Sequence, residues 1–224
     1  MGHSAGLARA ESHCLNKFAM PTFLLIRHGE NDYLKKNKMP GRLPGIHLNK
    51  HGREQAATLA ETLKALPIKA IYSSPLERAI ETAEPLAQAR GLTIQIRPDL
   101  LDTDVGEWQG MQLKKLHKYP LWKLIQEQPS GVRFPGGESF MELQERLVKE
   151  FEAIRAAHKQ KDVVAVVFHA DPIKLILAHY IGLPLDNFQK LSVAAGSVSI
   201  LAIGKSSARL AALNLIPPFS FSLP

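Results

Sequence analysis

Short apolar runs alternate along this chain with longer segments in which apolar residues recur at helical spacing. Residues 23–26 form the first run, and residues 163–168 form the strongest one, which leads directly into His169. An unbroken apolar run of this length is typical of a strand that is buried on both faces of a sheet. Further strands are predicted at residues 70–72, 93–96, 198–203 and 210–213, the last of them antiparallel at an edge.

Capping residues followed by apolar stripes predict the helices. Asn49 precedes a segment in which Leu59 and Leu63 recur at helical spacing, and Ser139 with Glu142 has the spacing of a capping box. Both patterns predict a helix that begins directly after its cap.

Two proline-containing patterns predict further helix starts. Ser74 followed by Pro75 and Glu77 has the form of a capping box with proline at the first helical position, and Asp171-Pro172 repeats the cap-then-proline pattern before a helix to about residue 181. Residues 111–128 are also predicted to be helical.

The alternation of strands and helices predicts an α/β fold. We expect a three-layer sandwich with a mainly parallel central sheet and helices on both faces. Residues 20–224 show no internal repeat or linker and are predicted to form one catalytic domain. Residues 1–19 carry no strand or helix period and are predicted to be a flexible N-terminal extension.

Composition narrows the class of protein. Hydrophobic residues make up 45% of the 224 residues and charged residues 22%, as in ordinary soluble proteins. The single cysteine, Cys14, excludes an intramolecular disulfide framework. No apolar run has the length of a membrane span, and the N-terminus lacks the layout of a signal peptide. We therefore expect a cytoplasmic protein that does not bind membranes.

The formal net charge of +7 favours anionic partners. Aromatic residues do not interleave with the basic ones as they do in many nucleic-acid-binding proteins, so no nucleic-acid partner is predicted. A small phosphorylated substrate accounts for the charge.

Charged and ionisable residues follow three of the predicted strands. Arg27 and His28 come after the first strand, Arg78 after the second and His169 after the fourth. The carboxyl ends of parallel strands meet at one edge of a sheet, which is where ligands bind in such folds. Positive donors beside a nucleophile are what transfer of a phosphoryl group requires.

These residues stand in an ordered set of motifs that resembles the histidine phosphatase superfamily, in its phosphoglycerate mutase-like branch. The set comprises Arg27-His28-Gly29-Glu30, the run from Ser73 to Ala83, Gly106-Glu107-Trp108-Gln109-Gly110, Gly136-Gly137-Glu138-Ser139, and the strand that ends at His169. The resemblance covers about residues 22–203, which is nearly the whole predicted domain.

The resemblance implies a role for each motif residue. His28 would attack phosphorus through one ring nitrogen while the other donates a hydrogen bond to a carbonyl. Arg27 and Arg78 would bind the phosphoryl oxygens, and His169 would add a further donor as charge develops. The family needs no metal or other cofactor, and none is predicted here.

The same resemblance places the proton donor for the leaving alcohol at Asp102, where many relatives carry glutamate. An unperturbed aspartate has a pKa of about 3.9, so Asp102 would need a raised pKa to act near neutrality. Asp171 is a second candidate, although its position before Pro172 favours a capping role. Asp104 and Glu107 are less favoured.

The segment after the nucleophile departs from the family pattern. Relatives often place a phosphate-binding asparagine six residues after the nucleophile, and this chain has Leu34 there. Asn31 or Asn37 could substitute, with Asn31 closer to the predicted site. Arg42 resembles a substrate-binding loop arginine of the family, several residues later than usual.

The sequence thus predicts a metal-independent phosphatase that hydrolyses phosphomonoesters through a phosphohistidine on His28. Two alternatives stay open: phosphoryl transfer of the phosphoglycerate mutase type, and a phospholigand-binding module without catalysis. Glycolytic mutases carry Arg-His-Tyr-Gly after the acid, whereas this chain reads Thr103-Asp104-Val105-Gly106 after Asp102, which favours the phosphatase. The sequence predicts neither the physiological substrate nor the oligomeric state.

Overall fold

The computed structural model describes residues 20–219, so the extension predicted at residues 1–19 lies outside the described residues. One six-stranded sheet organises this part of the chain. Its strands in chain order are β1 (Thr22–Arg27), β2 (Ile68–Ser73), β3 (Ile94–Ile96), β4 (Val163–Phe168), β5 (Val198–Ile203) and β6 (Ala208–Leu215). The assignment of residues 20–224 to a single domain stays a prediction.

The strand order in space is β3-β2-β4-β1-β5-β6. Strand β4 lies between β1 and β2 and pairs parallel with both, and β2 also pairs parallel with β3. Strand β5 is antiparallel to β1 on one side and to β6 on the other. Only β5 therefore runs against the common direction among the described strands, and the predicted mainly parallel sheet is confirmed.

Helices cover both faces of the sheet. Within residues 20–219, no helix has the length and apolar character needed to cross a membrane. The α-helices described are α1 (Asp32–Lys35), α2 (Lys50–Leu63), α3 (Glu77–Arg90), α4 (Leu113–Leu116), α5 (Pro120–Glu127), α6 (Phe140–Ala156) and α7 (Ala170–Ile181), and the 3-10 turns are Pro98–Leu100, Gly106–Trp108, Pro129–Gly131 and Leu185–Lys190.

Alternate side chains of β1 enter two separate cores, because successive residues of a strand point to opposite faces. Leu24 and Ile26 pack with residues of α2 and α3. Phe23 and Leu25 pack with residues of α6 and α7, among them Phe151. Burial on both faces explains why this strand is apolar at every position from 23 to 26, and it confirms the predicted three layers.

Two of the predicted caps are confirmed. The Asn49 side chain accepts a hydrogen bond from the backbone of Gly52 at the start of α2. Ser139 and Glu142 form the reciprocal capping box that begins α6. Each cap satisfies backbone donors that the first turn of a helix leaves unpaired.

The capping box predicted at Ser74 is wrong. The backbone of Ser74 donates to the carbonyl of Val167 at 3.0 Å, so this residue still extends the sheet and a helix cannot begin there. Helix α3 begins at Glu77 after Leu76 as N-cap, and the Glu77 carboxylate accepts from the backbone of Gly45 instead of from the cap.

The cap predicted at Asp171 is wrong as well, by two residues. His169 is the N-cap of α7, and its carbonyl accepts the first helical bond from Ile173. Pro172 is tolerated because it stands in the first turn, where a backbone N–H has no helical acceptor.

The helix predicted over residues 111–128 is two short helices, α4 and α5. Tyr119 precedes a proline and has an extended backbone, which ends one helix before Pro120 begins the next.

Candidate active site

The ends of β1, β2 and β4 bring three parts of the chain together. These strands are neighbours and parallel, so the residues that follow them lie at one edge of the sheet. The backbone of His28 donates to the carbonyl of Phe168 at 3.0 Å, which fixes the end of β1 against the end of β4. The rings of His28 and His169 lie edge to face with centroids 5.2 Å apart.

His28 is buried, and one of its ring nitrogens is committed to the backbone. Its Nδ1 lies 2.8 Å from the carbonyl oxygen of Gly29, and since a carbonyl can only accept, Nδ1 carries the proton. The lone pair is then on Nε2. Burial, helped by the charge of Arg78, lowers the pKa of His28 well below its usual range, so the ring is neutral at pH 7.

The turn after His28 is held against α2 and α3. The backbone of Gly29 donates to the Thr82 hydroxyl at 3.0 Å. A Cβ on Gly29 would lie 2.7 Å from the carbonyl oxygen of Gly52, and one on Gly52 would lie 2.0 Å from that of Glu30. Both positions therefore need glycine, because the two backbones approach more closely than a side chain permits.

Arg78 is fully buried with a partly unsatisfied guanidinium. Its Nη2 donates to the carbonyl of Gly41 at 2.7 Å and to the Asp102 carboxylate at 3.0 Å. Its Nε and Nη1 have no hydrogen-bond partner among the described residues. Arg27 is similar, since its Nη1 donates to the carbonyl of Val193 while its Nε has no partner. Buried donors without partners are costly, so these two arginines are suited to bind an anion.

Asp102 joins Arg78 to His169. Its Oδ2 lies 3.0 Å from Arg78 Nη2 and 3.5 Å from His169 Nδ1, and its Oδ1 accepts from the backbone of Thr103. Burial raises the pKa of the Asp102 carboxyl, although the Arg78 guanidinium opposes that shift. A carboxyl with a raised pKa is suited to hold a proton for transfer.

His169 is fully buried, and its Nε2 lies 2.8 Å from the Ser74 hydroxyl. Burial, with the Arg78 charge, lowers the pKa of His169 well below its usual range. The sequence pattern predicts a helix cap for the Ser74 side chain and does not indicate this contact with His169.

Asn31 and Arg42 lie in the segment that follows β1, and both side chains form hydrogen bonds within the protein. Asn31 is buried and its Oδ1 accepts from the backbone of Leu34 as the cap of α1, while its Nδ2 has no partner among residues 20–219. The Arg42 guanidinium donates to the carbonyl of Asp102 and to the carboxylates of Asp104 and Glu138. A contact of either residue with phosphate or substrate stays a prediction.

Glu138 was not singled out from the sequence, although the motif that contains it was. Its Oε1 accepts from Arg42 at 2.8 Å, from the backbone of Asp104 at 2.9 Å and from Arg146 at 3.0 Å. Arg146 also donates to the carbonyls of Asp99 and Leu101. The segment that carries Asp102 is thus held by two arginines that share one carboxylate.

Asp171, the second candidate acid, accepts from Lys174 one turn further along α7 at 3.1 Å. It lines the same cavity as Arg27, His28 and Asp102, and this cavity has a volume of about 350 Å³. No group of three or more His, Cys, Asp or Glu side chains within residues 20–219 is arranged to hold a metal ion.

Comparison with known proteins identifies the family of this chain. Residues 23–216 match the family model of the histidine phosphatase superfamily (branch 1), and the chain belongs to that family. It is 30% identical over 198 residues to phosphoserine phosphatase 1 of Hydrogenobacter thermophilus, covering 88% of this chain and 93% of the relative.

Two further relatives carry another phosphatase name. A glucosyl-3-phosphoglycerate phosphatase of Mycolicibacterium vanbaalenii is 33% identical over 176 residues, covering 75% of this chain and 77% of the relative. A solved mycobacterial glucosyl-3-phosphoglycerate phosphatase in complex with VO3 superposes with a TM-score of 0.79 at 28% identity, covering 87% of this chain and 98% of that one. The family inferred from the motifs is therefore confirmed.

Proposed function

We propose that this protein is a phosphoric monoester hydrolase that acts through a phosphohistidine on His28. The observation that carries the proposal is the bond from His28 Nδ1 to the Gly29 carbonyl, since it leaves Nε2 with a free lone pair on a neutral, buried ring. Its membership of the histidine phosphatase superfamily and the phosphatase names of its relatives support the same class of reaction.

The reaction has two steps. In the first, Nε2 of His28 forms a bond to phosphorus while the bond from phosphorus to the ester oxygen breaks, and Asp102 gives its proton to the departing alcohol. In the second, water attacks the phosphohistidine, Asp102 takes a proton from it, and the bond to nitrogen breaks to release phosphate. The acid and the base are thus the same carboxyl in opposite protonation states.

Arg27, Arg78 and His169 bind the phosphoryl oxygens in this proposal, and Asn31 Nδ2 adds a fourth donor. The unpaired nitrogens of Arg27, Arg78 and Asn31 support these roles, because a phosphoryl group would satisfy them. Arg42 is assigned a positioning role through the Asp102 carbonyl, and a direct contact with substrate is its alternative.

The partner is a small phosphorylated molecule, without nucleic acid or membrane. The cytoplasm is the proposed location, and a single cysteine in the whole chain fits a reducing compartment.

The test is hydrolysis of 4-nitrophenyl phosphate in the presence of a metal chelator, with wild-type protein and His28→Ala. We expect turnover by the wild type and a loss of at least about 1,000-fold in the variant, because the covalent route is removed. Rapid quenching of the wild type should trap an acid-labile phosphohistidine. Persistent turnover by His28→Ala would contradict the proposal.

The two alternatives give different results in the same assays. A mutase would interconvert 2- and 3-phosphoglycerate faster than it releases phosphate. A binding module without catalysis would give no covalent intermediate with any phosphate donor.

A further inference from the structure

Apolar side chains form most of the wall of the active-site cavity, and its polar side chains outside the phosphate site are Lys38, Thr103, Gln126, Asp171 and Gln189. A carboxylate of the substrate would be costly to desolvate against such a wall unless a cation paired with it. The apolar side chains of the wall include Leu34, Met39, Leu113, Trp122, Ile125 and Phe134.

With the exception of Lys38, the charged side chains that line the cavity are paired with another residue or belong to the phosphate site. Arg27 and Asp102 are assigned to phosphate binding and catalysis, and Asp171 is paired with Lys174. Among the described lining residues, Lys38 is the one cation outside the phosphate site, and its Nζ lies 5.6 Å from the centre of the Tyr33 ring. Apart from Arg27, which is assigned to phosphate, the described lining residues include no arginine that could bind a substrate carboxylate in a bidentate manner.

Leu34 adds to this argument. It lines the cavity at the position where the motif comparison expects a polar asparagine, so the wall is less polar than the family pattern predicts. The cavity volume of about 350 Å³ exceeds what a phosphoryl group occupies and is at the lower end of the range of small-molecule sites, roughly 300–1,000 Å³.

We propose that this cavity binds the organic half of the substrate as an uncharged apolar group, so that the protein prefers alkyl or aryl phosphates over amino-acid phosphates. The preference rests on the phosphatase activity proposed above. Burial of each additional methylene in an apolar site improves binding by up to about fourfold.

The test is a series of n-alkyl phosphates with the same class of leaving group: ethyl, butyl and hexyl phosphate, with O-phosphoserine as the polar comparison. We expect kcat/KM to rise at least about tenfold from ethyl to hexyl phosphate, because four methylenes enter the cavity. O-phosphoserine should be no better than ethyl phosphate. A flat series would overturn the proposal. O-phosphoserine above ethyl phosphate would also overturn it, because the cavity would then favour a charged organic group.

Near-isosteric polar variants test the wall itself. Met39→Gln and Leu113→Asn change two lining residues that are only partly buried, so both variants should fold. Each should lower kcat/KM for hexyl phosphate about tenfold and leave ethyl phosphate within about twofold. The matched control is Leu124→Asn, since Leu124 lies on α5 outside the cavity and is 45% exposed. Equal losses on both substrates would contradict the proposal.

Binding of alkylphosphonates separates this inference from the proposed activity. These compounds cannot be hydrolysed, and calorimetry should show hexylphosphonate binding at least about tenfold more tightly than ethylphosphonate. If no phosphate ester is turned over but the phosphonates show this difference, the activity fails and the apolar site stands. If esters are turned over and the phosphonates bind equally, the activity stands and the apolar site fails.

Discussion

At the scale of single residues, the site depends on which groups are neutral and which are charged. His28 and His169 are buried beside arginines, which favours neutral rings, and burial favours a protonated Asp102. The first step of the proposed reaction requires shifts in these directions, because a neutral histidine is nucleophilic and a protonated carboxyl can donate a proton.

The role of Asp102 predicts a dependence on the leaving group. Asp102→Asn should slow release of the alcohol from an alkyl phosphate by about 100- to 10,000-fold, because an alkoxide cannot leave without a proton. Release of 4-nitrophenol should slow far less, since nitrophenolate leaves unprotonated. Single-turnover rates of alcohol and nitrophenol release measure the difference.

Asp171→Asn is the matched control for this prediction. Asp171 lines the same cavity but is paired with Lys174, so its variant should stay within about threefold of the wild type for both substrates. A leaving-group dependence seen in Asp171→Asn and absent from Asp102→Asn would transfer the role of proton donor to Asp171.

At the scale of elements, two close backbone contacts position the reacting groups: Gly137 lies against Asp104, and Gly52 lies against Glu30. The segment around residues 99–104 is bound through its carbonyls by Arg42 and Arg146, and both arginines contact Glu138. A Cβ on Gly137 would lie 2.2 Å from the carbonyl oxygen of Asp104, so this part of the chain also lies against that segment directly. The second contact joins the turn after β1 to the first turn of α2.

Loss of the Glu138 charge should displace Asp102. Glu138→Gln keeps the size of the side chain but removes the shared acceptor charge, and we expect single-turnover release from an alkyl phosphate to fall about tenfold. Release from 4-nitrophenyl phosphate should change by less than about threefold. Equal losses for both substrates would indicate a general structural effect instead of a displaced acid.

The contact between Gly52 and Glu30 predicts a cost for an added methyl group. Gly52→Ala should lower the free energy of unfolding by about 1–3 kcal/mol, because the backbones must separate to admit the Cβ. It should also lower kcat/KM, since the turn after His28 moves. Gly131→Ala is the control, with nothing within 4 Å of its added Cβ, and urea unfolding of both variants gives the comparison.

At the scale of the whole molecule, folding removes two histidines and an aspartate from water at one edge of the sheet. Both histidine rings are kept neutral in the native state while the unfolded chain can protonate them. Between the lowered native pKa and the usual value of about 6.5, the unfolded state therefore binds more protons, and stability falls as the pH falls. The pKa of Asp102 is raised in the native state, so stability rises as the pH falls from that raised pKa to the usual value of about 3.9.

This linkage predicts the pH dependence of stability in a variant. His28→Ala should lose less stability than the wild type between about pH 7 and pH 5, with the slope reduced by up to about 1.4 kcal/mol per pH unit. Urea unfolding of both proteins at several pH values measures the two slopes. Parallel slopes would show that His28 titrates alike in the folded and unfolded chains.

The sequence determined the features that depend on neighbouring residues. The apolar runs at 23–26 and 163–168 indicated buried parallel strands, and Arg27, His28, Arg78 and His169 could be placed at one edge because strand ends coincide in a parallel sheet. Asn49 and Ser139 could be recognised as caps because a cap bonds to a backbone only three residues away.

Only the tertiary structure decided the partners of side chains that meet across long stretches of sequence. The Ser74 hydroxyl contacts His169 and does not cap a helix. Arg42 donates to the carbonyl of Asp102 and to the carboxylate of Glu138. The apolar side chains of the cavity wall come from the segment after β1, from α4 and α5, and from residues near Phe134. A capping pattern indicates only that a hydroxyl or a carboxylate could accept a hydrogen bond from a nearby backbone N–H. Packing of distant elements determines which acceptor or donor is close enough to bind it.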